Sequence, residues 1–348
     1  MRVYCKEIMD TIVLLKENLT EFLKSLSDVR LIAPISENGK TSFEEIETKE
    51  KANIVLTDYT ASPKKAMFPQ TETMFAFGLK DGSVDIADDE EVRKTVVFGL
   101  RPCDAKSFII LDPLFKREYE DPYYTRRRNA TVLIGLACKE PTNRCFCVSL
   151  GGSPTSTEGL DILFTDIGDE YFVEVLSDRA KELLSSVQSL FKEASEEQKN
   201  RKKTAAGESF AKLRRHVDLE KLDEKLPRIF EHSIWKELAD RCLGCGICTY
   251  MCPTCHCFDI QDEGTPEGGR RIRIWDSCMY PEFTVHASGE NPRKDRSERL
   301  RNRIFDKFSY YPQNWGLNGC VGCGRCIELC PVNIDLIEIL NRIGQINA

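Results

Sequence analysis

Two segments of the chain place four cysteines at the same spacing. Residues 242–253 (the first box) and 320–331 (the second box) both follow the pattern C-x2-C-x2-C-x3-C-P. Three thiolates so close together must converge on one group. Zinc sites usually take their ligands as two separated pairs, so this spacing fits an iron–sulfur cubane better, because each sulfur then binds a different iron.

The spacing predicts two 4Fe–4S clusters, with the fourth cysteine of each box serving the cluster of the other box. The predicted ligands are Cys242, Cys245, Cys248 and Cys330 for the first cluster, and Cys320, Cys323, Cys326 and Cys252 for the second. Glycines within the boxes permit tight turns near the sulfurs. Every iron then has a protein ligand, so we expect single-electron transfer and no catalytic residue.

Four other cysteines lie in the N-terminal part of the chain. Cys103 and Cys138 each follow a predicted strand and are expected at one edge of a sheet, and the pair Cys145 and Cys147 follows closely. Four thiols suit a third iron–sulfur cluster or a zinc ion. Structural thiols without a metal are the alternative, and the sequence leaves both open.

Three more cysteines, Cys255, Cys257 and Cys278, belong to neither set. Together with His256 or His286 they offer the donor types of another metal site. The sequence favours a different role, in which they line the surroundings of the clusters and tune the reduction potentials through hydrogen bonds.

The composition restricts the class of protein. Sixteen cysteines in 348 residues are many, and clustered cysteines in a reducing compartment bind metals more often than they form disulfides. The net charge of −7 argues against a nucleic-acid partner. Without an apolar run of membrane-spanning length or a signal-peptide core, we expect a cytoplasmic protein with no membrane span.

Apolar periodicity predicts helices over residues 6–27 and 105–115, and a polar helix or linker over 178–203. Short β-branched and apolar runs predict strands at residues 30–35, 53–57, 94–100, 131–137, 161–165 and 171–176. We therefore predict an α+β protein with an α/β-type N-terminal domain, built on a mixed sheet, over residues 1–203. Residues 204–348 are expected to form an α-helical, ferredoxin-like domain that holds both clusters.

Two further features concern partners. Basic residues are frequent over residues 270–303, which suggests either a docking surface for an acidic partner or an ordinary salt-bridged helix over residues 293–308. No glycine-rich dinucleotide motif follows a strand, and no Walker loop is present. If electrons come from NAD(P)H, another subunit must therefore hold the flavin.

Several motifs outside the boxes are more particular. They are FPQTETMF at residues 68–75, GLRPCD at 99–104, CFC at 145–147, CPTCHCFD at 252–259, WDSC at 275–278 and HASGENPR at 286–293. With the two boxes, these motifs resemble a family of iron–sulfur subunits that includes the sulfhydrogenase β subunit and the corresponding iron–sulfur protein of anaerobic sulfite reductase. The resemblance extends over most of the chain.

The resemblance implies an electron-transfer subunit of an anaerobic multi-subunit oxidoreductase. Its implied partners are a FAD- and NAD(P)-binding, reductase-like subunit and a catalytic redox subunit of the hydrogenase, sulfite or sulfur reductase, or heterodisulfide reductase type. The alternative is a stand-alone redox enzyme that uses the N-terminal thiols as a reactive site.

Overall fold

The computed structural model describes residues 10–38, 40–46, 60–80, 83–87 and 92–346. Its strands are β1 (Thr11–Leu15), β2 (Arg30–Glu37), β3 (Lys40–Glu45), β4 (Thr71–Lys80), β5 (Ser83–Ala87), β6 (Thr95–Leu100), β7 (Thr131–Leu136), β8 (Ile162–Asp166), β9 (Glu170–Val175), β10 (Phe191–Glu193), β11 (Phe258–Thr265) and β12 (Gly268–Trp275). Its α-helices are α1 (Leu19–Ser25), α2 (Pro102–Phe115), α3 (Pro122–Asn129), α4 (Asp178–Ser185), α5 (Glu196–Ala211), α6 (Leu222–Arg228), α7 (Ile234–Ala239), α8 (Ile247–Tyr250), α9 (Arg296–Phe305), α10 (Tyr311–Trp315), α11 (Arg325–Glu328) and α12 (Leu336–Gly344). A π-helical turn, Asp306–Tyr310, joins α9 to α10.

A mixed sheet forms the N-terminal half, with the strand order β10-β1-β9-β8-β7-β6-β2-β3. The central strands β2, β6, β7 and β8 are parallel, and the outer strands pair in the antiparallel sense. Both faces of the centre are covered: Val96 and Ile134 contribute to one core, and Val97 and Leu133 to the core on the opposite face. Burial on both faces explains why these strands read as continuous apolar runs.

The prediction of a helix over residues 6–27 is wrong for residues 11–15, which form a strand. Residues 6–9 lie outside the described residues, but Thr11–Leu15 is strand β1, and only Leu19–Ser25 is α-helical. Ile12 and Leu14 pack into one core while Val13 packs into another, so β1 is apolar on both faces. Such a run also matches helical spacing, which explains the error. The predicted strand over residues 53–57 also lies outside the described residues.

The C-terminal helices pack around their own apolar core. Trp235, Ile304, Phe305 and Leu340 are among its buried residues, and Phe146 from the N-terminal half inserts into the same core. The two halves of the chain therefore share buried surface.

A second sheet joins the halves more directly, in the order β11-β12-β4-β5. Strand β12 pairs with β4 although they are far apart in sequence. The α+β class with mixed sheets is confirmed, but the C-terminal half contains the β11–β12 hairpin as well as helices. The predicted boundary after residue 203 falls within α5, and the division into two domains stays a prediction.

Buried ion pairs also connect the halves. Arg325 on α11 forms a bidentate ion pair with Asp104 on α2. The two N–O distances are 2.6 and 3.0 Å, and both side chains are buried. Arg273 on β12 pairs with Glu72 on β4, which also accepts from Arg127. Removing one partner of such a pair leaves an uncompensated buried charge.

We expect Asp104→Ala to lower the free energy of unfolding by about 3–5 kcal/mol, because Arg325 then stays buried without a counter-ion. Urea unfolding of protein purified without oxygen measures the change. Asp262→Ala is the matched control, since Asp262 pairs with Arg271 on the surface, where solvent screens the interaction. Equal destabilisation by both changes would contradict the importance of the buried pair.

Candidate metal centre

Both boxes fold into the same loop. Gly244 and Gly246 have φ angles of 70° and 76°, and Gly322 and Gly324 have 65° and 75°, in the left-handed region that favours glycine. Each loop then enters a short helix, α8 or α11, that carries the third cysteine. The first glycine amide of each loop donates to the first sulfur of the box at 3.4 Å. The sequence repeat is thus also a repeat of backbone geometry.

One cavity brings sulfurs of both boxes together. It is lined by Cys242, Cys245, Cys248 and Cys330, and also by Cys326 of the second predicted set. Of these side chains, Cys245 is exposed and lies beside Leu243, which is 61% exposed. All four cysteines of the first predicted set therefore border one space close to the surface, which Cys326 of the second set borders as well.

The other three thiols of the second box lie near Cys252. Each of Cys320, Cys323 and Cys326 has Cys252 among its charged neighbours. Burial raises the pKa of Cys320 to about 11, while nearby Lys307 opposes the rise and Cys252 adds to it. Ionising a buried thiol costs free energy. Iron binding offsets this cost, because thiolate is the form that binds metal.

The donor sets fit a polynuclear cluster better than a single ion. In the described part of the chain, no three or more cysteine, histidine, aspartate or glutamate side chains are arranged to hold one metal ion. Four ligands of a zinc ion crowd around one centre, whereas four ligands of a cubane are spread over four irons. Thiols that share a cavity without crowding one point match the second arrangement.

Three of the four N-terminal cysteines approach one another. Burial raises the pKa of Cys138 to about 11 and that of Cys147 to about 12, and Cys145 adds to both shifts. Cys103 packs instead with Cys323 of the second box, in an apolar cluster with Ile110. Because β6 and β7 are parallel neighbours, Cys103 and Cys138 do follow the same edge of the sheet.

The N-terminal cysteine pair packs directly on the second box. The amide of Phe146 donates to the carbonyl of Gly322 at 2.9 Å, and the thiol of Cys145 lies 3.8 Å from the carbonyl oxygen of Cys323. A Cβ atom on Gly322 would come within 2.7 Å of the Cys147 backbone. Only glycine permits this approach, so the N-terminal thiols reach the immediate surroundings of the second box.

The three remaining cysteines also lie in this region. Cys257 and Cys278 pack with Cys242 and Cys248 of the first box. Cys255 is the main influence that lowers the pKa of the neighbouring Cys252 thiol. These cysteines therefore lie next to ligands predicted for both clusters.

Three buried cations surround these sulfurs, and the sequence did not reveal them. Lys64, Arg303 and Lys307 are 2%, 5% and 1% exposed. Arg303 donates to the sulfur of Cys255 at 3.1 Å, and Lys307 donates to the hydroxyl of Thr254 at 2.9 Å. The alternation of basic and apolar residues in α9 is the available signal, but it equally fits a surface helix or a docking surface.

The position of Arg303 explains its charge. Burial opposes ionisation, but the thiolates of Cys248, Cys255, Cys252 and Cys326 hold the pKa of Arg303 well above its ordinary value. These sulfurs include members of both predicted ligand sets. Arg303 is therefore a fixed positive charge between the two boxes.

No helix in the described residues combines the length and apolar character needed to cross a membrane.

Comparisons with known proteins agree with this arrangement. Residues 241–334 match the family model described as a 4Fe-4S dicluster domain. The chain is 32% identical over 331 residues to sulfhydrogenase 2 subunit beta of Pyrococcus furiosus, covering 94% of this chain and 97% of that protein. It is 24% identical over 179 residues to the F420-dependent formate dehydrogenase subunit beta of Methanocaldococcus jannaschii, covering 49% of this chain and 38% of that protein.

The sulfhydrogenase relative is matched over nearly its whole length. The resemblance expected from the sequence motifs is thus confirmed. The chain belongs to the family of iron–sulfur subunits that includes the sulfhydrogenase β subunit, and it carries a 4Fe–4S dicluster domain.

Proposed function

We propose that this chain relays single electrons between a FAD- and NAD(P)-binding subunit and a catalytic subunit of an anaerobic oxidoreductase complex. The observation that carries the proposal is the cavity between the two boxes, in which Cys326 and Cys330 of the second box join three cysteines of the first. Both relatives are named as β subunits, which supports a role within a larger assembly. A cytoplasmic location is part of the proposal.

The proposed first ligand set is Cys242, Cys245, Cys248 and Cys330, and the second is Cys320, Cys323, Cys326 and Cys252. When bound, each 4Fe–4S cluster accepts and donates one electron. Four cysteines in each set leave no iron corner for a substrate. The protein residues therefore bind and insulate the clusters, and we assign no catalytic residue.

The backbone and the buried cations set how easily each cluster is reduced. Amide N–H groups of Gly244, Gly322 and Ile334 donate to box sulfurs at 3.2–3.4 Å. Such hydrogen bonds, like the nearby charges of Arg303 and Lys307, stabilise the more negative reduced state.

We further propose that residues 204–348 form a ferredoxin-like dicluster domain and that residues 1–203 form an N-terminal domain with a third iron–sulfur site. Its ligands would be Cys138, Cys145 and Cys147, which approach one another, with Cys103 as the fourth although it packs against Cys323. The contact between Cys145 and Cys323 of the second box supports this third site, because it brings the N-terminal cysteines next to the proposed ligands of the second cluster.

We expect at least about eight irons and eight acid-labile sulfides per chain in protein purified without oxygen, since two cubanes contain that number. Reduced protein should show EPR signals that disappear on reoxidation and return on a second reduction. Changing Cys138, Cys145 and Cys147 together to alanine should remove about four irons if the N-terminal site is a cubane. A chain with no iron, or with iron that does not cycle, would contradict an electron relay.

The crossed ligand assignment makes a separate prediction. Cys330→Ser should alter the same EPR signal as Cys248→Ser, because both residues are assigned to the first cluster. Cys252→Ser should instead alter the same signal as Cys326→Ser. The assignment is wrong if Cys330→Ser and Cys326→Ser affect one signal and leave the other unchanged.

Arg303→Gln should lower the reduction potential of both clusters, because removing a positive charge destabilises the reduced state. For a charge ~8 Å away at an effective dielectric constant of ~20, the effect is about 2 kcal/mol, or roughly 90 mV for one electron. EPR-monitored redox titration measures it. Lys307→Gln should lower the potential of the second cluster more than that of the first, since Cys252 and Cys320 are among the neighbours of Lys307.

Arg271→Gln is the control for these titrations, because Arg271 lies on the exposed hairpin and pairs with Asp262. Its potentials should equal those of the parent protein. Potentials that do not change in Arg303→Gln would show that the buried charge does not act on the clusters.

A further inference from the structure

The four-stranded sheet β11-β12-β4-β5 has one apolar face. In an antiparallel sheet, residues directly opposite each other on neighbouring strands point to the same face. Leu79 lies opposite Val84, and Phe77 lies opposite Ile86, in the pairing of β4 with β5. The pairings of β12 with β4 and with β11 extend this face across the sheet. Its apolar members, which we call the apolar face, are Phe75, Phe77, Leu79, Val84, Ile86, Phe258 and Ile260.

One end of the apolar face is covered by the core of the chain, whereas the other end meets solvent. At the covered end, the ring of Phe258 packs against that of Phe68, with 6.2 Å between the centroids. At the other end, Val84 and Ile86 are each 63% exposed and Leu79 is 47% exposed. Antiparallel sheets usually turn a polar face outward. Exposed apolar side chains that share one face, unlike scattered single residues, are typical of a protein–protein interface.

The rim of the apolar face is acidic. Asp85 on β5, Asp259 on β11 and Glu267 in the turn between β11 and β12 are exposed. Within the ranges that the structure describes, none of these three carboxylates forms an ion pair. Arg271, by contrast, is already neutralised by Asp262. Uncompensated negative charge therefore lies around the exposed apolar side chains.

This charge decides between two kinds of occupant. The whole chain carries a net charge of −7, so two copies that met through this face would bring like charges together. A different protein with an apolar surface and a basic rim would gain on both counts. Its basic residues would speed the encounter, and its apolar residues would lose their contact with water at the centre of the interface.

The base of the same sheet adjoins the first box. The hydroxyl of Tyr250, on helix α8 of that box, donates to the carbonyl of Trp275 at 3.1 Å. The amide of Asp276 donates to the carbonyl of Cys257 at 2.9 Å, and Cys257 packs in one cluster with Cys242 of the box. A protein docked on the apolar face would therefore be held by a sheet that contacts the first box directly.

We propose that the apolar face docks another subunit of the oxidoreductase complex, through a surface of that subunit that is apolar at its centre and basic at its rim. The inference rests on the proposed function, because that function places the chain in a complex. It adds the place and the chemistry of the contact. Electron transfer takes no part in this contact, so docking and relay can be tested separately.

The first test uses the complex that the tagged full-length chain forms in the organism that produces it, purified without oxygen. The subunits that purify with the chain are identified by mass. Hydrogen exchange is then compared between the isolated chain and the complex. Amides of β5 and β11 should exchange at least about tenfold more slowly in the complex, because the docked subunit covers both strands.

The second test changes the face itself. Changing Val84 and Ile86 together to lysine should weaken binding of the partner subunit by at least about tenfold, since two charges then occupy the apolar centre. Phe210→Lys is the matched control, because Phe210 is 55% exposed on α5, outside this sheet, and its variant should bind as the parent does. Both variants should keep the iron content and the EPR signals of the parent.

Asp85→Lys tests the charge of the rim and leaves every apolar residue in place. It should weaken binding and reduce its dependence on salt, because one attractive charge is lost and salt screens those that remain. This variant also replaces the double variant if the latter loses iron.

Equal binding by the parent and the lysine variants would overturn the proposal, as would equal exchange of β5 and β11 in the chain and in the complex. A dimer of the isolated chain that the double variant abolishes also overturns it, because a second copy then occupies the face. A chain that purifies without any other subunit does the same. A complex that assembles through this face but transfers no electrons would support the docking site and contradict the relay.

Discussion

Positive charge buried against cysteine sulfur is the constraint on which the centre of this protein depends. Arg303 and Lys307 point into the same sulfur-rich interior, and Lys64 approaches it from the N-terminal half. A cation in such a place costs several kcal/mol unless an anion lies beside it. Iron-bound thiolates are such anions, so folding and cluster assembly are expected to depend on each other. The π-helical turn that carries Lys307 is an irregularity of the kind often found at functional sites.

The two halves of the chain are interlocked around this centre. The β11–β12 hairpin extends the sheet of β4 and β5, Phe146 enters the C-terminal core, and Arg325 pairs with Asp104. Each contact lies close to a cysteine of one of the sets. The N-terminal half therefore contributes directly to the surroundings of the clusters, and a cut between the halves would expose sulfur as well as apolar surface.

The boxes were predictable because their chemistry is local: spacing, glycines and proline all lie within short segments. The common edge of Cys103 and Cys138 was also predictable, since adjacent parallel strands end together. Strand β1 resembles a helix in sequence because a run that is apolar on both faces satisfies helical and extended spacing alike. The approach of Cys257 to Cys278 depends on the register of a hairpin, and that of Lys64 on contacts across the whole chain. Neither of these two contacts can be recognised in the sequence from a periodic pattern or from a fixed spacing of residues.

Because Cys245 is exposed, the first box lies closer to solvent than the second box does. Cys245 and Leu243 form the part of the first box that meets solvent. The second box is covered by residues 145–147, where the amide of Phe146 donates to the carbonyl of Gly322. Dioxygen diffusing from solution would reach the first box before the second. Oxidative damage should therefore start at the first box. A partner protein seated over Leu243 would both shorten the path for electrons and shield the most vulnerable thiolate from air.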